Sequence, residues 1–250
     1  MLILAVDTST RMGSAALLRD DEVLAEVSGY EETPYSTRLF RDVEELQNRV
    51  NFRLHKVDLF AVAAGPGSFT GLRVGLTAVK AWAEVHQKPV AAISGLEAIA
   101  AESQTALTGR TPSTTTSTTN PRYLASFLDA RRGQIFGAVY RNGFPGERSL
   151  SPDSDESILS PDEFLEMVKG KVARSSVDFV SPTPEAISDV RITEAFPGAR
   201  VIPVSAALAP AIGRLGFERA KRGEVLDAIR LDANYVRRSD AESAWKDGQL

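Results

Sequence analysis

The chain has 250 residues, 43% hydrophobic and 25% charged, the composition of a folded globular protein rather than a disordered one. It contains no cysteine, which excludes a disulfide framework, thiolate metal ligands and a thiol nucleophile. A net charge of −4 lacks the general basic footprint of a nucleic-acid binder, and no apolar run approaches the roughly 18–20 residues a membrane span needs. Met1 leads straight into an apolar run with no basic leader, so a cytoplasmic protein with no membrane association is expected.

Residues 2–6 read as a buried strand that ends at Asp7 and three hydroxyls, Thr8, Ser9 and Thr10. Residues 14–19 and 23–28, separated by turn signals, complete a meander. The Asp7 cluster has two readings: a holder of phosphate or hydrated Mg²⁺, or a turn that satisfies its own backbone. A helix is expected over 37–50, with Leu39, Val43, Leu46 and Val50 on one face. Arg38, Arg41, Asp42, Glu45 and Arg49 then read as its solvated side.

Residues 58–64 form a second buried strand, followed by Gly65-Pro66-Gly67-Ser68-Phe69-Thr70-Gly71 and a helical pattern that runs to His86. A strand, glycine loop and helix in succession aim backbone N–H groups at one spot, as anion cradles do. The spacing fits neither standard phosphate loop, because Thr70 stands where GxGxxG needs glycine and Gly71-Leu72-Arg73 replaces Gly-Lys-Ser/Thr. A tight turn using glycine for positive φ is the plainer reading. The helix has two apolar stripes, Leu72, Leu76, Val79 and Ala83, and then Val74, Ala78, Ala81 and Val85. A surface helix needs only one. It is either sandwiched inside its own domain or docks on a partner, and in the second case Val74→Glu or Ala78→Glu should block association without unfolding.

A strand over 89–94 and a helix over 96–103 follow. Residues 113–119 are all serine or threonine, which marks 106–121 as a flexible connector between a lobe of residues 1–105 and one of residues 122–250. The second half repeats the opening: strand 123–128, turn 129–133, strand 135–141. Leu128-Asp129 falls on Val6-Asp7, which suggests two related sheets facing each other with Asp7 and Asp129 at matching strand ends. Residues 145–162 read as a polar loop into a helix at 161–168, with strands at 177–180 and 200–204 and a last helix at 206–221. The two histidines, His55 and His86, fall on different elements and cannot make the i, i+4 pair of a zinc metallopeptidase helix, so no metal is expected.

Four blocks, ILAVDTST, VAAGPGSFTGLRVGLTAVKA, LDARRGQIFGAVY and ANYVRRSDAE, resemble the TsaB (YeaZ) family in order and spacing. The Thr/Ser-rich tract and residues 145–200 depart from it. The resemblance implies an α/β fold of two duplicated RNase H-like (actin/Hsp70-like) lobes with mixed sheets flanked by helices. It also implies a non-catalytic partner of TsaD, the subunit that transfers threonylcarbamoyl to adenosine beside the tRNA anticodon, with a TsaE ATPase joining the assembly. The helices at 37–50 and 70–86 would bundle with TsaD, or with a second copy as a homodimer when the chain is alone. Leu39, Val43, Leu46, Val74, Ala78, Ala81 and Val85 are then the interface candidates. Contact with tRNA would come only through the complex, and neither cofactor nor catalytic residue is expected. The alternative is an actin-like ATPase or small-molecule kinase whose cleft uses Asp7, Thr8, Ser9, Thr10, Gly65, Gly67 and Asp129. In the accessory reading, that cleft is vestigial.

Overall fold

In a computed structural model the described residues are 1–29, 35–108, 122–143, 150–173, 175–234 and 236, so the Thr/Ser-rich tract lies outside them. Two mixed sheets share one plan. The first contains β1 (Leu2–Asp7), β2 (Ser14–Arg19), β3 (Glu22–Ser28), β4 (Leu59–Gly65) and β5 (Val90–Ser94), in the order β3-β2-β1-β4-β5. Strands β1 to β3 are an antiparallel meander, and β4 and β5 continue the sheet in parallel.

The second sheet contains β6 (Arg122–Arg131), β7 (Gln134–Asn142), β8 (Leu150–Pro152), β9 (Ser157–Leu159), β10 (Val177–Ser181) and β11 (Val201–Pro203). Its order is β11-β10-β6-β7-β8, with β9 also on β7. Again the first strand is central, with antiparallel neighbours on one side and parallel strands on the other. The two sheets are duplicates in topology.

Helices α1 (Tyr35–Val50) and α2 (Phe69–His86) cover one face of the first sheet, where Leu39, Val43, Leu46, Leu72 and Val79 meet Leu4, Val6, Phe60 and Val62. The alternate residues Ile3, Ala5, Ala16, Leu18 and Ala61 face a shared core with Leu124, Leu128, Ala138 and Tyr140 of the second sheet. Helices α3 (Gly95–Thr108) and α6 (Ala209–Lys221) fill that space. The outer face of the second sheet is closed by α4 (Pro161–Val172) and α5 (Asp189–Ala195), where Phe164, Val168, Phe179 and Ile192 pack. Ser160 starts α4 with a capping box, accepting from Glu163 N–H while the Glu163 carboxylate accepts from Ser160 N–H.

Several elements differ from the sequence reading for identifiable reasons. Strand β6 runs through Asp129 to Arg131, because Asp129 and Arg131 still pair with Ile135 and Gln134, so the turn shrinks to Arg132-Gly133. Residues 145–162 include β8 and β9, and α5 occupies the stretch between β10 and β11. Arg38 and Asp42 are buried at 2% and 6% rather than solvated, since they pair with each other on the flank of α1. Helix α6 belongs by sequence to the second half but packs on the first sheet. Gly213 and Gly216 permit this, since a Cβ would stand 2.3 Å from Leu18 Cδ1 and 2.8 Å from Ala61 Cβ respectively.

Candidate functional site

The two lobes face each other across a cleft of about 900 Å³ at the carboxyl ends of β1, β4 and β6. Ser9, Thr10, Gly67 and Ser68 line it from the first lobe, and Asp129 and Thr183 from the second. Asp7, Thr8 and Gly65 lie behind that wall. Asp7 is fully buried; its Oδ1 accepts from Ser9 N–H (2.8 Å) and Ser9 Oγ (2.6 Å), while its Oδ2 has no hydrogen-bond partner. Burial pushes the Asp7 carboxyl above the usual range, and the two Ser9 bonds offset this only in part. Asp129 is exposed; its Oδ1 accepts from Arg131 N–H (2.7 Å), and its own N–H donates to Thr183 Oγ1 (3.0 Å).

The glycine loop is explained by the chain's own backbone. Gly67 in the loop and Gly71 and Gly75 on α2 recur every four residues along the side that meets Thr8 and Ser9. A Cβ would come within 2.6 Å of Ser9 O at Gly67, 2.0 Å of Thr8 O at Gly71 and 2.4 Å of Thr8 Oγ1 at Gly75. Thr8 Oγ1 donates to Gly71 O (2.7 Å), and Ser68 N–H donates to Ser9 O (2.8 Å). These glycines let the loop after β1 press into α2. Gly65, at φ 121°, leaves room for the Asn234 carbonyl, which a Cβ would approach to 2.5 Å. The four-residue spacing of the glycines was the signal for this close approach.

The outer face of α1 and α2 is the second candidate site. Leu39, Val43, Leu46 and Ala78 lie in the chain's own core, at 3%, 3%, 0% and 5% exposure, and have no surface left to offer a partner. Val74 is half-buried and Ala81 exposed, while Val85 is 75% exposed. Beside them Phe40, 54% exposed, stands edge-on to the half-buried Trp82. Phe40 and Trp82 flank the stripes read from the sequence. Their exposure was not read from the sequence, because periodicity alone leaves the rotation of an apolar helix face open by about one position.

Among the described residues, no group of three or more His, Asp or Glu side chains gathers to hold a metal ion, and no helix is long and apolar enough to cross a membrane. His55 sits in a short 3₁₀ turn, Leu54–Lys56, and His86 ends α2.

A family model described as "TsaD: tRNA N6-adenosine threonylcarbamoyltransferase" matches residues 32–189. The chain is also 32% identical over 259 residues to the tRNA threonylcarbamoyladenosine biosynthesis protein TsaB of Bacillus subtilis, an alignment that covers 100% of each chain. The chain belongs to the TsaB family. The Escherichia coli TsaB is 29% identical over 164 residues, covering 65% of this chain and 64% of its own length. A Pseudomonas aeruginosa crystal structure described as similar to peptidase YEAZ superposes with a TM-score of 0.73 at 23% identity, over 94% of this chain and 99% of that one. A second, "YeaZ from Pseudomonas aeruginosa", gives 0.70 at 22% identity over the same shares. With the duplicated sheets, these matches show the fold, two mixed α/β sheets of one topology flanked by helices.

Proposed function

We propose that this TsaB-family chain is the accessory, non-catalytic subunit of the machinery that forms N6-threonylcarbamoyladenosine in tRNA. It docks a TsaD-like catalytic subunit through the outer face of α1 and α2. The observation that carries this reading is the apolar strip of Phe40 on α1 with Ala81, Trp82 and Val85 on α2, which the chain's own core leaves wholly or partly uncovered. An apolar strip of this kind marks an association surface. The same strip serves a homodimer when the TsaD-like subunit is absent, and a TsaE-like ATPase joins the complex. Contact with tRNA comes through that complex, in the cytoplasm. The packing of Gly67 and Gly71 onto Thr8 and Ser9 favours an accessory role over the kinase-like alternative, because those glycines serve the chain's own backbone.

The test is copurification with the TsaD-like protein of the same cell, followed by size determination. A complex that Val85→Glu abolishes supports the reading. ATP turnover by the isolated chain, with no complex formed, overturns it.

A further inference from the structure

After α6 the chain returns along the open edge of the first sheet. Leu226 exchanges two backbone hydrogen bonds with Val90 of β5, each 2.8 Å. Ala228 and Leu231 are buried in the core beneath α1 and α2. Asn234 then lands at the end of β4: its N–H donates to Ala64 O (2.7 Å), and its carbonyl lies in the space Gly65 leaves. Asn234 also lines the cleft between the lobes.

One carboxylate fastens this segment. Glu156, between β8 and β9, accepts at Oε2 from Asn234 Nδ2 (2.6 Å). Its Oε1 accepts from Tyr140 OH (3.2 Å) and from Ser94 Oγ. Ser94 Oγ in turn accepts from Leu96 and Glu97 N–H, both at 3.1 Å, at the start of α3. Glu156 therefore joins three separate parts: β7 of the second lobe, the β5–α3 junction of the first, and the returning segment. Burial pushes its carboxyl above the usual range, with Ser94, Tyr140 and Asn234 opposing the shift and the nearby Glu97, itself paired with Arg219, adding to it. Opening returns this buried carboxyl to water, so the closure is held by its specific donors against the cost of burying it.

We propose that residues 226–234 form a releasable strap with Glu156 as its catch. Loss of the Asn234 contact frees the strap's end from Gly65 and widens the cleft mouth while both sheets stay folded. The strap covers part of the core that also holds α2, so its release loosens the support of the outer helical face as well.

Hydrogen–deuterium exchange on the full chain tests this, with wild type, Asn234→Ala and Glu156→Ala compared at pH 7. The backbone N–H groups of residues 226 and 234 are the reporters. Both variants should speed their exchange by about tenfold or more, as expected for loss of a buried side-chain hydrogen bond, with β1, β4 and β6 unchanged. Asn234→Ala keeps the Ser94 and Tyr140 bonds to Glu156, so it isolates the strap should Glu156→Ala disturb the lobes more widely. Unchanged exchange at both reporters in Asn234→Ala overturns the proposal. So does acceleration only in step with β4, which would make the strap part of the global core.

Discussion

Asp7 and Asp129 close the same turn on the two lobes: each Oδ1 accepts the N–H two residues on, from Ser9 at 2.8 Å and from Arg131 at 2.7 Å. The duplication thus extends beyond strand order to the chemistry at the strand ends, but the environments have diverged. Asp7 is sealed with one oxygen unpartnered, and Asp129 stands in solvent at the cleft. Because burial raises the folded-state pKa of Asp7, its contribution is most favourable below the ordinary carboxylate range and is lost as pH rises through the folded value. Asp7→Asn removes a carboxyl whose ionisation burial opposes, leaves one amide under-satisfied, and keeps both Ser9 bonds at the carbonyl oxygen. We expect a net gain on the order of 1 kcal/mol at pH 8 that fades toward pH 4. Thermal unfolding across that range checks it, and a variant less stable than wild type at pH 8 refutes it. Asp129→Asn should stay within about 0.5 kcal/mol throughout.

The glycines of the signature should respond in opposite ways according to what faces them. Gly71→Ala puts a methyl 2.0 Å from the Thr8 carbonyl, where only a backbone shift can make room. A loss of about 3 kcal/mol or more is expected, in the range of overpacking and strain at a rigid contact. Gly170 lies in α4 with open space around its missing side chain, so Gly170→Ala should gain about 0.5–1 kcal/mol. Urea titration of the two variants separates a packing role for Gly71 from a merely flexible one. A neutral Gly71→Ala would mean that the loop after β1 can retreat.

What was legible in the sequence follows from what is local. Buried strands such as Leu2–Asp7 and Leu59–Gly65 announce themselves by apolar content and bounding turns, and the second copy of the opening pattern revealed the duplication. Contacts between distant elements were not legible. Nothing in Arg38 says that two carbonyls of the β1–β2 turn wait beside it, so a charged residue on a helix flank reads as solvated. The assignment of α6 to the first sheet depends on Gly213 and Gly216 meeting Leu18 and Ala61, partners roughly two hundred and one hundred and fifty residues away. On α2 the two apolar stripes were visible, but which became core was decided by glycines seating against Thr8. Ala78 therefore turned inward, and Trp82 was left beside Phe40.

The ion pair on α1 gives a prediction of its own. Arg38 Nε donates to Asp42 Oδ2 (3.0 Å), and its Nη2 donates to the carbonyls of Met12 (2.7 Å) and Gly13 (3.2 Å). The side chains are 3% and 8% exposed. Removing Arg38 takes from the buried Asp42 its nearer cation, leaving Arg41 Nη2 at 3.6 Å from Oδ1, and takes the Arg38 donor from two carbonyls, so Arg38→Met should cost about 3 kcal/mol. Arg41→Met, at a side chain 52% exposed, should change stability by about 0.5 kcal/mol or less. Equal effects in chemical denaturation would show that burial does not govern this helix flank.

The docking face is best tested by two acidic substitutions on the same helix. Ala78 is 5% exposed, so Ala78→Glu forces a carboxylate into the core and should cost several kcal/mol or abolish folding, which makes it useless as an interface probe. Val85 is 75% exposed, so Val85→Glu should leave the unfolding midpoint almost unchanged. It places a charge one helical turn along α2 from Trp82, which stands edge-on to Phe40 with ring centroids 5.9 Å apart at 88°. Association should weaken by about tenfold or more, as for a charge desolvated against an apolar contact, and Phe40→Ala should weaken it by about tenfold or more. Light scattering of the chain alone and titration with a TsaD-like subunit measure both. If Val85→Glu folds normally and still associates with wild-type affinity, the partner binds elsewhere, and the exposed aromatic pair on α1 and α2 has no role in assembly.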